Sequence, residues 1–150
     1  MGHTYISILV HAVFSTRNRL PIIDALLAER LHPYLCGIAR ENGFKILGVG
    51  GVADHIHLLL SLPGATPPSK AVQLLKGGSS KWIHETFREH AKFAWQEGYG
   101  AFSVGVSQVD DTLRYIANQA DHHRKTTFQD EYRAFLFRHG ITIDENHVWG

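Results

Sequence analysis

The order in which strand-like and helix-like periodicities succeed one another constrains this chain more tightly than any single motif. Thr4 to Phe14 (TYISILVHAVF) is rich in β-branched and aromatic residues and reads as a strand. Ser15 to Pro21 is polar, basic and proline-terminated, hence a loop. From Ile23 to Asn42, Leu27, Leu31, Leu35 and Ile38 recur at helical spacing, with Gly43 placed as the C-terminal cap. Pro33 inside that pattern is expected to kink or divide the helix. Phe44 to Val52 and His55 to Leu62 read as two strands joined at Ala53-Asp54 in a hairpin. Thr66-Pro67 supplies an N-cap and a first-turn proline for a helix carrying Val72, Leu75, Trp82, Ile83 and Phe87, which Gly77-Gly78 should interrupt. Tyr99 to Val106 is a fourth strand, and Ser107-x-x-Asp110 resembles a capping box opening a helix through about His122. Gln129 to His139 is a last short helix closed by Gly140. The order β-α-β-β-α-β with two further helices predicts an α+β, ferredoxin-like (split β-α-β) fold, an antiparallel sheet with helices on one face plus a C-terminal helix.

At 150 residues the chain is expected to be one domain, 1–150. Apolar residues make up 44% and charged residues 19%, which is globular rather than disordered. A net charge of +1 supplies no one-signed field, so any nucleic-acid contact must come from local clustering. The apolar run around Leu58–Leu60 is too short for a membrane span, and Met1-Gly2-His3 opens no signal peptide. Ile6 stands where a myristoylation motif wants Ser or Thr. A lone Cys36 excludes an internal disulfide framework and fits a reducing compartment, so a cytoplasmic protein is expected.

Eleven histidines are the compositional oddity. Strand positions two apart share a face, so His55 and His57 point one way while Ile56, Leu58 and Leu60 point into the core. Two neutral imidazoles side by side can hold a divalent cation. About 0.8 His-x-His pairs are expected by chance in such a composition, so the motif also fits two surface histidines. Tyr115 and Gln119, spaced i, i+4 beside the apolar stripe Val109, Leu113, Ile116 and Ala120, form a rarer pair, about 0.17 by chance. A cation held by His55, His57 and the Gln119 carbonyl could polarise a phosphodiester for attack by the Tyr115 hydroxyl. A tyrosine ester retains the bond energy for later rejoining, which hydrolysis by water does not.

With those residues in view, the sequence resembles the single-tyrosine transposases of the HUH endonuclease superfamily, the insertion sequence 200/605 (IS200-like) group. The resemblance rests on VHAVFSTRNR (Val10–Arg19), ADHIHLLLSL (Ala53–Leu62), LLKGGSSKWI (Leu74–Ile83), FAWQEGYGAFSV (Phe93–Val104), RYIANQADHHRK (Arg114–Lys125) and the tail RHGITIDENHVWG. It implies Tyr115 as nucleophile and His55, His57 and Gln119 as ligands of Mg²⁺ or Mn²⁺, of which this donor set suits Mn²⁺ better. It further implies single-stranded DNA with hairpins as substrate, a 5′-phosphotyrosine intermediate, and a homodimer with active sites shared between subunits.

Asp54 precedes the histidine strand and could orient an imidazole, or serve only the turn. Arg17 and Arg19 in their loop, Lys76, Ser79, Ser80 and Lys81 around Gly77-Gly78, and Arg124 and Lys125 beyond His122-His123 are candidates to hold DNA. The ordinary reading of each is a solvated loop, helix surface or dipole complement. Trp82, Trp95 and Trp149 read as core or contact residues more than base-stacking platforms. Three other functions fit parts of the pattern: a domesticated palindrome-associated transposase, a non-enzymatic single-strand-binding module, and a small zinc hydrolase.

Overall fold

The computed structural model describes residues 2–150. Its sheet has four antiparallel strands in the order β2-β3-β1-β4, with β1 (Leu9–Ser15) central, β2 (Lys45–Val52), β3 (His55–Ser61) and β4 (Gly100–Val104). Helix α1 is Ala25–Glu41, α2 is Pro68–Thr86, α3 is Val109–Ala117, α4 is the single turn Gln119–His122, and α5 is Phe128–Arg138. The first six elements follow the split β-α-β order read from the sequence.

Strand pleating sorts the core into two layers. Val10, Ala12 and Phe14 of β1 and Ile56, Leu58 and Leu60 of β3 face α1 and α2, meeting Leu27, Leu31, Leu35, Val72, Leu75 and Ile83. Val13 and Phe102 face the opposite way, onto Phe128, Tyr132, Phe135 and Leu136 of α5. The histidine side of the sheet is therefore roofed by α3, α4 and α5, and His55 and His57 are fully buried.

Several boundaries differ from the sequence reading for identifiable reasons. Residues 4–8 lie outside β1, whose register ends with Leu9 opposite Ser61 of β3 and Val104 of β4, although the Ile8 carbonyl still accepts from the Leu62 amide at 3.0 Å. Pro33 does not divide α1, which is capped by Asp24 accepting from the Leu27 amide at 2.8 Å. Gly77-Gly78 do not interrupt α2; a Cβ on Gly78 would lie 2.9 Å from Ile38 of α1, so that glycine permits close helix packing. The α2 N-cap is Pro67, one residue beyond Thr66. Ser107 does not open α3; Val106–Gln108 is a 3₁₀ turn, the Gln108 side chain accepting from the Gly105 amide, and the helix begins at Val109. It also breaks at Asn118 rather than running through to His122.

The roof can lie low because β2 carries glycines, Gly48 and Gly50, beneath α3. A Cβ on Gly48 would collide with Leu113, and one on Gly50 with the carbonyl of Ile116. These two glycines set the height of the helix that carries Tyr115.

Candidate metal and nucleophile site

Cross-strand pairing puts Val13 opposite His57 and Ser15 opposite His55, so both imidazoles leave β3 on the roofed face. Their ring centroids are 5.1 Å apart. Each ring is fixed by its second nitrogen. His55 Nδ1 lies 2.6 Å from Asp54 Oδ1, and His57 Nδ1 lies 2.8 Å from His11 Nε2. His123 Nδ1 donates to the Thr126 carbonyl at 2.7 Å. With those nitrogens engaged, the three Nε2 atoms are presented to one point.

Glu131 of α5 completes the cluster. Its Oε1 is 3.0 Å from His57 Nε2, 3.2 Å from His123 Nε2 and 3.4 Å from His55 Nε2. The Gln119 Oε1 is 3.0 Å from His123 Nε2 and 3.4 Å from His55 Nε2, while its amide donates to the Tyr115 carbonyl at 3.0 Å. Donors around an ion at about 2.1 Å must themselves lie roughly 3–4 Å apart. One donor atom each from His55, His57, His123 and Glu131 lies within 4.8 Å of every other. Imidazole nitrogens and a carboxylate are ordinary ligands of divalent transition metals. These four residues can hold a metal ion, with the Gln119 oxygen beside them.

The other Glu131 oxygen faces the nucleophile candidate. Tyr115 Oη donates to Glu131 Oε2 and lies 3.2 Å from His122 Nε2. Its ring is half-buried, edge-on to His57 with centroids 5.6 Å apart. Burial, helped by the Glu131 hydrogen bond and charge, holds the Tyr115 phenol well above its usual range. Burial would raise the Glu131 carboxyl, but hydrogen bonds from His123, His55 and His57 outweigh it and hold it well below the carboxylate range. Burial lowers His57 to about 4, against the pull of Glu131, and lowers His11 to about 3, helped by His57. For His55, hydrogen bonds to Asp54 and Glu131 overcome burial and raise it.

The structure therefore brings together Tyr115, His55, His57, Gln119 and Asp54. It adds two residues to the ligand set read from the sequence, His123 and Glu131. Their signals were present: His123 continues the i, i+4 spacing Tyr115–Gln119–His123, and Glu131 is a carboxylate on the apolar face formed by Phe128 and Phe135. The proposed DNA-contacting residues divide. Ser79 is buried, donates to the Leu75 carbonyl at 2.6 Å and accepts from Trp95 Nε1 at 2.9 Å, so it cannot reach a strand. The Lys76 ammonium donates to the carbonyls of Gln96, Glu97 and Gly98 at 2.8, 3.2 and 2.6 Å. It is engaged in holding that loop. Ser80 and Lys81 are on α2, behind the sheet from the cluster. Arg17 is exposed, Arg19 sits 5.6 Å from the Trp149 ring, Arg124 pairs with Asp121 at 3.1 Å, and Lys125 is exposed beside Tyr115.

A family model described as "Transposase IS200 like" matches residues 4–119. The ISDra2 transposase TnpA of Deinococcus radiodurans is 24% identical over 80% of this chain and 89% of its own length. The transposase for insertion sequence element IS200 of Salmonella typhimurium is 27% identical over 77% of this chain and 80% of its own. A solved Deinococcus radiodurans structure described as a transposase superposes with a TM-score of 0.65 at 24% identity, covering 79% of this chain and 96% of that one. A REP-associated tyrosine transposase bound to a REP hairpin superposes at 0.57 with 17% identity, covering 77% and 68%. Fold and sequence together define the class, an HUH-type tyrosine enzyme that nicks and rejoins DNA. This chain belongs to the IS200-like transposase family. His123 and Glu131 lie beyond the segment that the family model matches. No helix among the described residues is long and apolar enough to cross a membrane.

Proposed function

We propose that this protein cuts and rejoins single-stranded DNA at hairpin-bearing ends, with Tyr115 as nucleophile and a divalent ion at His55, His57, His123, Glu131 and Gln119. The observation that carries the reading is the shared carboxylate: one Glu131 oxygen contacts the imidazoles and the other accepts from the Tyr115 hydroxyl. The REP hairpin bound to the structural neighbour supports a hairpin substrate.

In the first step the Tyr115 oxygen attacks the phosphorus of a phosphodiester. A P–O bond to tyrosine forms and the bond to the 3′ oxygen breaks. The Glu131 hydrogen bond orients the phenol, whose proton passes to solvent as the P–O bond forms, and the departing oxygen takes a proton from solvent to become a 3′-hydroxyl. The enzyme keeps a 5′-phosphotyrosine ester, and attack by a 3′-hydroxyl reverses the sequence with no external energy source. A divalent ion, when bound, supplies positive charge to the phosphate oxygens. Three imidazoles favour Mn²⁺ over Mg²⁺ on softness. Asp54 and His11 hold the histidine rings in register.

A homodimer follows from the family resemblance. The resemblance also implies sites shared between copies, whereas within one chain Tyr115 lies edge-on to its own His57 and donates to its own Glu131, so mixing defective variants distinguishes the two arrangements.

Incubation with single-stranded hairpin DNA and Mn²⁺ tests the reading. A denaturation-resistant protein–DNA adduct is expected, and Tyr115→Phe should abolish it. An adduct of undiminished yield in that variant removes Tyr115 as nucleophile, and strand binding without cleavage under every divalent metal points to a binding module.

A further inference from the structure

Four protein donors converge at a point where a catalytic ion would need room for its substrate. The side chains of His55 and His57 are fully buried, and those of His123 and Glu131 are 10% and 2% exposed. Asp54, His11 and the Thr126 carbonyl engage the three Nδ1 atoms, so each imidazole offers only Nε2 to the centre. Glu131 Oε1 stands 3.0, 3.2 and 3.4 Å from Nε2 of His57, His123 and His55. Donors at the corners of a tetrahedron around zinc are about 3.4 Å apart, given bonds of about 2.05 Å. An ion replacing the protons now held between these atoms would find a tetrahedral shell close to complete.

The number of protein ligands decides what a metal can do. Zinc with four is a closed, structural ion, whereas catalytic zinc has three and keeps a position for substrate. His55, His57 and Gln119 alone would have left that position open. His123 and Glu131 fill it. Manganese takes six ligands, so even with Gln119 Oε1 as a fifth donor it retains one place for a phosphate oxygen. Affinity for a given set of nitrogen and oxygen donors nevertheless rises from Mn²⁺ to Zn²⁺.

We propose that Zn²⁺ binds this site in preference to Mn²⁺ and inhibits the enzyme, because His123 and Glu131 complete a shell that excludes the phosphate. The proposal rests on the reading above, in which the ion must touch that phosphate. Glu131 Oε2 still holds the Tyr115 hydroxyl when Oε1 is a ligand, so zinc blocks the phosphate rather than the nucleophile. The supply of zinc then regulates a chain whose fold it leaves intact.

Zn²⁺ is titrated by calorimetry into the full chain, metal-free and preloaded with Mn²⁺, and adduct formation with hairpin DNA is scored on the same preparations. One equivalent is expected, binding on the order of a hundredfold tighter than Mn²⁺. Adduct should fall to background as that equivalent is added. Zinc binding no tighter than manganese, or zinc supporting as much adduct, overturns the proposal. Cobalt reads the shell without any turnover, since four-coordinate Co²⁺ absorbs visible light far more strongly than six-coordinate Co²⁺. Tyr115→Phe loaded with Co²⁺ should show the intense band, unaltered by hairpin DNA at concentrations that saturate binding. A band that changes with DNA means that phosphate enters the shell, and overturns the closure. Adding His123→Ala to that variant opens one position, and its cobalt band should then respond to DNA while zinc affinity falls at least tenfold. Adduct absent from the unsubstituted chain in Mn²⁺, or retained in Tyr115→Phe, overturns the underlying reading instead. The zinc affinity and the cobalt band decide the closed shell in either case.

Discussion

His57 and Glu131, 74 residues apart in sequence, meet at 3.0 Å inside the protein. The contact joins the family's histidine strand to a helix beyond the segment matched by the family model. It makes α5 part of the site rather than a cover over it. Glu131→Gln keeps the shape and removes the charge. Mn²⁺ affinity, measured by calorimetric titration, is expected to fall at least tenfold, the usual scale for loss of a group that ligates or orients ligands. Affinity equal to that of the unsubstituted protein removes Glu131 from the ligand set.

Gly50 bears on the same site from below. A side chain there would strike the Ile116 carbonyl, one residue after Tyr115. Gly50→Ala must lift α3 or bend β2, at a cost of about 1–3 kcal/mol for overpacking. The expected result is a lowered midpoint in denaturant and an adduct yield reduced more than the fraction unfolded accounts for. Gly37→Ala, where an added Cβ meets nothing, serves as the control and should leave adduct yield unchanged.

The split β-α-β order and the pairing of His55 with His57 were legible because strand and helix periods state which side chains share a face. The roof was harder to see. Pleating alone says that the histidines oppose the Ile56–Leu58–Leu60 face, but not whether that side meets water. Gly48 and Gly50 within the β2 sequence KILGVGGV marked a close approach from above, and that signal is meaningful only once a helix is known to lie there. Lys76 and Ser79 looked available because their partners, the 96–98 carbonyls and Trp95, come from a loop about twenty residues later. Spacing along α2 does not report such partners.

Lys76 consequently carries a prediction opposite to its sequence reading. Burial lowers its ammonium to about 8, yet three carbonyls accept from it. Three donated hydrogen bonds require the charged amine, since a neutral one has only two N–H groups. Lys76→Met should cost about 1–3 kcal/mol by leaving those carbonyls without a partner. Strand affinity per folded molecule and its salt dependence should be unchanged. A shallower salt slope would instead make Lys76 a phosphate contact.

Acid should unfold the metal-free protein early. His57 and His11 have folded values of about 4 and about 3, below the ordinary 6.5, so the unfolded chain binds protons first as pH falls. Each then loses about 2 kcal/mol of stability between neutral pH and pH 5. His55, raised, works the other way: its contribution is fully present below 6.5 and is lost as pH rises through its folded value. Glu131, depressed, adds a further loss once pH drops below the ordinary carboxylate range. The two depressed histidines are expected to dominate, so stability falls between neutral pH and pH 5, with His55 offsetting part of the loss. Chemical denaturation at pH 7.5 and pH 5 in chelator measures it, and stability that holds level or rises would contradict the buried neutral state of His57 and His11.

Placement of the site within one chain is tested by mixing. Tyr115→Phe lacks the attacking hydroxyl, and His57→Ala lacks a central imidazole of the cluster. If Tyr115 serves its own His57, as the 5.6 Å ring separation indicates, every copy in a mixed population of these two variants is defective. Co-refolding them and adding hairpin DNA with Mn²⁺ should then yield no adduct above either variant alone. In a shared arrangement, a mixed dimer pairs the intact tyrosine of the His57→Ala copy with the intact histidines of its partner. Random mixing would make half of the dimers mixed, each with one competent site, and adduct would reappear at roughly a quarter of the unsubstituted yield. Recovery on that scale would mean that the contact between Tyr115 and Glu131 opens when two copies meet. Its absence, with both variants folded and binding DNA, leaves the nucleophile and its metal ligands on one polypeptide.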